Sequence, residues 1–338
     1  MANNITIVKL AAALGLSKST VSRAFREGSD INPKTKEIIL QKAAELGFSP
    51  NLYASNLRGN KSYTIAIIIP EFGNKFFSQA IKGIELVARN NGYHVLIYVT
   101  DHSAEKEADI IRTLVNGRVD GVIMSGSGEG DNHEYLKLLK SNKVPLVFFD
   151  RYYEDVSTAC ITGNDLDSSY QATKHLIASG ARKIAYLAVN KDVSIGKIRM
   201  EGYKKALQEA ALPLNEQLML DTSNDVLVNY KDIKNLIENQ KPDAIFASVE
   251  RLAMSTIRVA KELQLLIPKD LKLICFSCLD IADMLQPSLS VVKQPAYEMG
   301  IEATTQLFDI LCGRKADGIR EIIFLDSELI FQGSSSRA

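Results

Sequence analysis

The hydrophobic pattern of the chain changes character near residue 60. Over the first 46 residues, apolar side chains recur at intervals of three and four and predict three short helices. From Tyr63 onward, short continuous apolar runs alternate with longer amphipathic stretches, which predicts strands alternating with helices. The pattern indicates a small helical module followed by a larger α/β region.

The three predicted helices have recognisable starts and stops. Gly15-Leu16 ends the first, Ser17 can cap the second, Asn32-Pro33 supplies a cap and a first-turn proline for the third, and Gly47 closes it. These signals predict a compact unit of three helices. The side chains expected to face its core are Ile7, Leu10, Ala11, Leu14, Val21, Ala24, Phe25, Ile38, Ile39, Ala43 and Leu46.

The second helix has a polar side that its core does not use. Lys18, Ser19, Ser22, Arg23 and Arg26 face either solvent or a partner, and a solvated face is the simpler interpretation taken alone. The short turn before this helix, however, has helix-turn-helix spacing, which presents the start of the second helix to a major groove.

Charge supports the second interpretation. Residues 1–60 carry eight Lys and Arg against four Asp and Glu, a net charge of +4. The remainder carries −4, because the 40 basic and 40 acidic residues of the chain balance. Contact of the first module with a polyanion is expected from this asymmetry.

The stretch between the two regions predicts a hinge. Pro50 stops the preceding helix, Asn51 can cap a new one, and Gly59 ends it after two turns at most, which is too short to be stable alone. Leu52 and Leu57 have no evident core to join. A segment that folds when a partner completes it fits better than a passive linker.

The α/β region contains two series of strand-like runs, and two sheet domains are expected from about 275 residues. The first series is TIAIII, HVLIYV, GVIM and PLVFFD, and the second is ACIT, KIAYLA, DAIFAS and LKLICF. A ligand is expected in the cleft at the carboxyl ends of these parallel strands.

Composition excludes several classes of protein. With 46% hydrophobic and 24% charged residues and no run of about 18 apolar residues, no transmembrane span is expected. The N-terminus lacks the basic start and cleavage site of a signal peptide, so we expect a cytoplasmic protein without a membrane partner. The cysteines Cys160, Cys275, Cys278 and Cys312 suit reduced thiols, and we expect Cys275 and Cys278 to be structural.

Motifs that follow one another along the chain resemble the LacI/GalR family of transcriptional regulators. The resemblance covers nearly the whole length, and its most specific motifs are TIVKLAAALGLSKSTVSRAF, LGFSPNLYASNLRG and IAIIIPEFGNKFFSQAIKGIE. Later stretches, VDGVIMSGS, VPLVFFDR, ATKHLIASGARKIAYL, IRMEGYKKAL and PSLSVVKQPAYEMG, resemble the effector domain of the family.

The resemblance implies an α/β fold in three parts. An N-terminal three-helix helix-turn-helix DNA-binding domain (1–49) and a short hinge helix (50–60) precede a periplasmic-binding-protein-like effector and dimerisation domain (61–338). We expect that domain to have two doubly wound parallel-sheet subdomains, N at about 61–160 and 289–320, and C at about 161–288 and 321–338.

The resemblance also implies the DNA contacts. Lys18, Ser19 and Arg23 occupy positions that read base edges in the major groove, and Leu57 matches a leucine wedged into the minor groove. Lys9 and Leu14 depart from the acidic residue and alanine usual in the first helix. The full set of expected DNA-binding residues is Ser17, Lys18, Ser19, Ser22, Arg23, Asn51, Ala54 and Leu57.

Effector contacts follow in the same way, with Phe76, Phe77, Ser125, Asp150, Arg199, Glu250 and Ser277 as the expected residues. Phe76 or Phe77 is equally well explained as core, and Arg199 alternatively forms a surface ion pair. Ser277 stands where sugar-responsive members commonly have an aspartate that binds ligand hydroxyls. Val249-Glu250 replaces the usual Asn-Asp. A neutral hydroxyl cannot supply the same charge-assisted bond, so a plain sugar effector is not assumed.

The predicted function is a dimeric regulator, a repressor, that binds a pseudo-palindromic double-stranded operator under control of a carbohydrate-related effector. The alternative is a solute-binding protein of sugar transport, which the absent signal peptide disfavours. An enzyme is not expected, because the sequence contains no nucleophile-base pair, phosphate-cradling loop or metal-spaced cluster. We expect no cofactor and no metal ion.

Overall fold

The structure is a computed structural model that describes residues 5–25, 29–48, 61–128, 133–189, 193–223 and 225–336. Contacts divide the chain into two compact units, Met1–Ser62 and Tyr63–Ala338. The expected start of the effector domain at residue 61 lies two residues before this boundary.

The first unit contains helices α1 (Ile7–Leu14), α2 (Lys18–Ala24) and α3 (Pro33–Glu45). Gly15 follows α1 in the left-handed conformation, and Asn32 caps α3 with Pro33 in its first turn. Leu10, Val21, Ala24 and Ile39 are fully buried where the three helices meet. Ile38 is 56% exposed, so its expected place in the core was wrong. The core face of α3 takes Ile39 and Ala43, four residues apart, and Ile38 lies off that face.

The second unit is an alternation of strands and helices. In chain order these are β1 (Thr64–Ile69), α4 (Lys75–Asn90), β2 (His94–Val99), α5 (Ala104–Leu114), β3 (Gly121–Met124), α6 (Lys137–Ser141), β4 (Leu146–Phe149), β5 (Ala159–Gly163), α7 (Asp165–Ala178), β6 (Ile184–Val189), α8 (Ser194–Glu209), β7 (Met219–Thr222), α9 (Val226–Gln240), β8 (Ala244–Ala247), α10 (Glu250–Glu262), β9 (Lys272–Phe276), β10 (Ser290–Lys293), α11 (Ala296–Leu311), β11 (Glu321–Leu325) and β12 (Glu328–Ile330).

The strands form two six-stranded sheets, which define two lobes. The first lobe has strand order β11-β5-β4-β3-β1-β2, and the second has β12-β10-β9-β8-β6-β7. Neighbouring strands are parallel except β12, which runs antiparallel to β10. Apolar clusters cover both faces of each sheet, which explains why β1, β3, β4, β5, β6 and β8 are buried along their whole length. This arrangement matches the two predicted parallel-sheet subdomains.

The assignment of segments to the lobes differs from the expected one in three places. β5, the ACIT run, pairs with β4 and β11 in the first sheet and does not open the second. β10 pairs with β9 in the second sheet, and β11 belongs to the first. The chain therefore passes between the lobes near residues 164, 294 and 326. Each crossing falls just after a strand, at the carboxyl edge of its sheet.

The lobe helices approach closely where glycine removes a side chain. A Cβ placed on Gly300 of α11 would lie 2.1 Å from the Ala80 carbonyl oxygen of α4. One on Gly83 of α4 would lie 2.2 Å from the Tyr297 carbonyl oxygen. α4 and α11 therefore pack backbone to backbone over the first sheet. Within the described residues, none of the helices combines the length and apolar character needed to cross a membrane.

Candidate functional site

The exposed face of α2 carries the residues that sequence reasoning assigned to base reading. Ser17 caps the helix by accepting from the Thr20 N–H at 3.1 Å, so its hydroxyl has a structural use. Lys18, Ser19 and Arg23 are exposed, whereas Ser22 is half-buried. The buried side of the helix, Val21 and Ala24, leaves this polar face free to meet a partner.

Arg23 has a partner within its own unit. Its Nη1 lies 3.2 Å from each carboxylate oxygen of Asp30, and both side chains remain largely exposed. Such a solvent-screened pair is weak and can be exchanged for a contact with DNA. The hinge residues Asn51, Ala54 and Leu57 lie outside the described residues, and their expected roles stay predictions.

A cleft lies in the second unit, where the carboxyl ends of strands from both sheets meet. It holds about 350 Å³ of empty space, its open mouth included. Six of the seven expected effector residues line it. The lining residues are Asn74, Phe76, Phe77, Asp150, Arg151, Ile195, Arg199, Val249, Glu250, Phe276, Ser277, Cys278 and Gln294.

Arg199 of α8 is 2% exposed, so the surface ion-pair interpretation was wrong. Its Nε is 3.1 Å from Oδ2 of buried Asp165, Nη1 donates to the Ser248 carbonyl at 2.8 Å, and the guanidinium carbon lies 3.8 Å from the Phe276 ring centre. Nη2 and Asp165 Oδ1 have no hydrogen-bond partner among the described residues. Buried polar atoms are normally satisfied, so Arg199, which lines the cleft, has a donor left for a ligand.

Asp150 follows β4 in a left-handed conformation, with φ of 61°, and is 4% exposed. Burial raises the pKa of its carboxyl to about 6, although the charges of Arg151 and Arg199 act in the opposite direction. Arg151 Nε is 3.6 Å from Asp150 Oδ2, and its Nη1 lies 3.3 Å from His102 Nδ1. Two adjacent, oppositely charged buried side chains thus form one wall.

Glu250 and Ser277 meet on the facing wall. The Ser277 hydroxyl donates to Glu250 Oε2 at 2.9 Å and accepts from the Leu279 N–H at 3.0 Å. Glu250 Oε1 accepts from the Lys75 N–H, in the first lobe, at 3.4 Å. This carboxylate therefore reaches both sides of the cleft.

Phe76 and Phe77 satisfy both interpretations open from the sequence. They are 3% and 1% exposed, belong to the core of the first lobe, and also line the cleft. Phe76 stacks on Phe149 with ring centres 6.4 Å apart. Ser125 is fully buried after β3 and is not among the lining residues, so its expected direct contact is not supported. The next two residues, Gly126 and Ser127, pack against Tyr153.

Several contacts hold the lobes together across the cleft. Arg251 Nη1 lies 3.3 Å from Glu71 Oε1, and Lys75 Nζ lies 2.8 Å from Asp280 Oδ2. Burial acts to raise the pKa of Glu71, but the His102 hydrogen bond and the Arg251 charge hold it below its usual value.

The two lobes also make a close steric contact, between Gly128 and Val193. A Cβ on Gly128, whose φ is 89°, would lie 1.9 Å from Val193 Cγ1 just before α8. The backbone N–H of Tyr152 also donates to the Ser194 hydroxyl at 3.3 Å. The two lobes are thus in direct contact at this side of the cleft.

Sequence reasoning missed four polar lining residues: Asn74, Arg151, Cys278 and Gln294. Each lies within two residues of the end of a strand or caps a helix at the carboxyl edge, and that position was the available signal. Burial raises the pKa of the Cys278 thiol to about 12, and Cys275 beside it is a free, buried thiol, which agrees with a structural use of both.

Comparison with known proteins gives matches over nearly the whole chain. The family profile described as periplasmic binding protein-like domain matches residues 173–335. The HTH-type transcriptional regulator DegA of Bacillus subtilis (strain 168) is 30% identical over 335 residues, which is 98% of both chains.

Solved structures share the fold. The Lac repressor dimer bound to operator and the anti-inducer ONPF matches with a TM-score of 0.86 and 21% identity, over 99% of this chain and all of that one. The regulator CelR in complex with cellobiose matches with a TM-score of 0.74 and 24% identity, over 98% of this chain and all of that one.

Proposed function

The chain belongs to the LacI/GalR family of transcriptional regulators, and from this premise we propose that it represses transcription by binding an operator through α2. A small molecule held in the cleft sets the operator affinity. The observation that carries the DNA-binding half is the exposed Lys18, Ser19 and Arg23 face of α2, opposite a fully buried core face. The protein acts in the cytoplasm, and its cleft binds without turnover.

The contacts on DNA divide by chemistry. The Arg23 guanidinium can bond the O6 and N7 atoms of a guanine bidentately, whereas the single ammonium of Lys18 suits a base edge or a phosphate. The Ser19 hydroxyl can form a hydrogen bond with either a base edge or a phosphate. Residues 51–58 fold as the hinge helix on the operator and place Leu57 in the minor groove.

The effector is a polyhydroxylated molecule of the sugar class. Arg199 Nη2 is a donor without a partner among the described residues, and the carboxylates of Asp150 and Glu250 are acceptors in the same lining, a combination that sugar hydroxyl groups satisfy. Phe76, Phe77 and Phe276 supply apolar walls for the C–H faces of a sugar ring. The cellobiose bound by CelR, which shares this fold, is a ligand of that class.

The working form is a homodimer. One recognition helix reads only a few base pairs, and two half-sites give useful affinity. Large apolar side chains that are exposed at the start of α9 and after β9 provide a surface for a second copy: Val226, Leu227, Val228, Ile281 and Met284. Exposed apolar groups in such number are typical of an interface.

The test begins with selection of bound duplexes from a random pool, followed by anisotropy titration of the enriched sequence. We expect a pseudo-palindrome, and neutral mono- and disaccharides that bind the protein should shift its operator affinity. Lys18→Ala should weaken operator binding more than Lys42→Ala, which removes the same charge from α3, where Lys42 pairs with Glu45. No enrichment, or equal loss in both variants, would contradict the proposal.

A further inference from the structure

Ser277 cannot serve as a hydroxyl donor to a ligand in this arrangement. A serine hydroxyl has one hydrogen, and here that hydrogen is directed to Glu250 Oε2 at 2.9 Å. The oxygen already accepts from the Leu279 N–H at 3.0 Å. Ser277 is therefore a positioning residue, which fixes the Glu250 carboxylate at the wall of the cleft.

Glu250 differs from the other charged groups of the cleft. Asp150 faces Arg151 at 3.6 Å, and Arg199 faces Asp165 at 3.1 Å, so each of these charges has an opposite charge beside it. Glu250 has no cationic side chain within 4 Å among the described residues. It is thus a lining carboxylate whose charge no ion pair offsets.

The nearest ammonium group is engaged elsewhere. Lys75 Nζ lies 2.8 Å from Asp280, so only the backbone N–H of Lys75 turns to Glu250, at a long 3.4 Å. Glu250 begins α10, and Lys75 begins α4, so two helix N-termini lie beside this carboxylate. Its two oxygens each accept one hydrogen bond and can accept more.

From this geometry we propose that Glu250, held by Ser277, selects neutral or amino-bearing sugars and rejects phosphorylated and acidic ones. The inference rests on the proposed function and names the class of effector within it. A ligand hydroxyl or ammonium group gains a charge-assisted hydrogen bond at Glu250, whereas a phosphate or carboxylate meets an unpaired like charge. The carboxylate that this chain lacks at 277 is supplied from 250 instead.

The test is calorimetric binding to series that share one ring: glucose, glucosamine, glucuronate and glucose 6-phosphate, the corresponding galactose series, and ribose with ribose 5-phosphate. In every series that binds, we expect the neutral or amino member to bind at least about tenfold tighter than the anionic one. An anionic sugar that binds as tightly as its neutral counterpart overturns the inference alone. No binding by any of these sugars overturns the proposed effector class as well.

Variants separate charge selection from folding. Glu250→Gln keeps the shape, so we expect the neutral-to-anionic preference to fall to within about threefold while thermal unfolding stays close to that of the parent protein. Glu262→Gln is the control, because it removes the same charge from the far end of α10, where Glu262 pairs with Lys234 at 2.7 Å. An unchanged preference in Glu250→Gln contradicts the inference.

Ser277→Asp distinguishes a positioning role from a direct one. If residue 277 touched the ligand itself, an aspartate there would strengthen binding of neutral sugars. In the proposed arrangement the new carboxylate lies beside that of Glu250, so we expect weaker binding of neutral sugars, by about tenfold. Tighter binding would show that Ser277 is the ligand contact.

Discussion

Arg23 Nη1 lies 3.2 Å from both carboxylate oxygens of Asp30, so the arginine expected to read a base is bound to an acidic neighbour in the free protein. The side chains are 48% and 76% exposed, and the pair is worth only about 0–1 kcal/mol. Exchange of Asp30 for a guanine therefore costs little. Asp30 keeps the arginine engaged until a better partner is present.

The first prediction concerns base reading by Arg23. Arg23→Ala should cost about 1–3 kcal/mol of operator binding and relax preference at one position of each half-site, because a bidentate guanine contact is lost. Anisotropy titrations with operator variants and random duplex measure both effects. Equal weakening on all sequences would assign Arg23 to phosphate.

The second prediction concerns Asp30. Asp30→Asn should tighten operator binding by up to about fivefold, since the competing partner and one negative charge are removed. Glu45→Gln removes the same charge from the end of α3 and serves as the control. If the two variants tighten binding equally, the effect is net charge, and the specific competition between Asp30 and DNA does not exist.

The third prediction concerns the contact between lobes at Gly128. Gly128→Ala places a methyl group 1.9 Å from Val193 Cγ1, so the Val193 side chain must shift; we expect the second lobe to move with it and the effector to bind more weakly. Gly313→Ala also sits at positive φ, of 71°, but meets nothing within 4 Å. The control should lose only the cost of a Cβ in the left-handed region, about 1–2 kcal/mol. Small-angle scattering of both variants checks the opening, and equal radii of gyration would contradict it.

The fourth prediction concerns the pH dependence contributed by Asp150. Its pKa is raised from 3.8 to about 6 in the folded protein, so the folded state binds this proton more tightly than the unfolded state between these values. The contribution of Asp150 to stability should therefore fall as pH rises from about 4 to 6, by up to about 3 kcal/mol, and then level off.

Asp150→Asn removes this dependence and suits the left-handed backbone, since asparagine tolerates positive φ. Urea unfolding of both proteins at pH 4.5, 5.5 and 7 gives the difference. The free energy of unfolding of Asp150→Asn, relative to that of the parent protein, should increase as pH rises. A constant difference would mean that Asp150 is already ionised across this range.

The fifth prediction concerns the proposed homodimer interface. Leu227 at the start of α9 is 69% exposed, and Leu227→Asp should convert the dimer to a monomer by placing a charge in the proposed interface. Ile319, which is 62% exposed before β11, provides the matched control in Ile319→Asp. Light scattering after gel filtration measures the mass. A monomeric parent protein, or a dimeric Leu227→Asp, would remove this face from the interface.

Most of the strands that sequence predicts well are buried on both faces, although the exposed edge strand β2 was predicted too. β1 and β8 appear as continuous apolar runs because helices cover both sides of each sheet. β7, β10, β11 and β12 were not predicted. β7, β11 and β12 are edge strands with exposed positions, and β10 is an interior strand of only four residues.

A local sequence pattern does not determine which strands pair with each other. The ACIT run predicted a strand correctly, yet nothing within it says that it joins β4 and β11 and not the sheet that follows in sequence. The same holds for the site. The family resemblance placed Asp150, Arg199, Glu250 and Ser277 at the cleft, but only the tertiary structure brings Ser277 within 2.9 Å of Glu250.

The late return of the chain to the first lobe has a consequence for synthesis on the ribosome. Met299, Ala303 and Leu307 of α11 cover one face of the first sheet, and β11 closes its edge. A nascent chain that has already produced β1 to β5 therefore exposes an apolar surface until nearly all of the protein has been made. The second lobe is translated within that interval, and its own edge strand β12 comes later still. Premature termination after residue 320 would leave an edge strand missing from both sheets, so we expect a chain truncated there to be aggregation-prone.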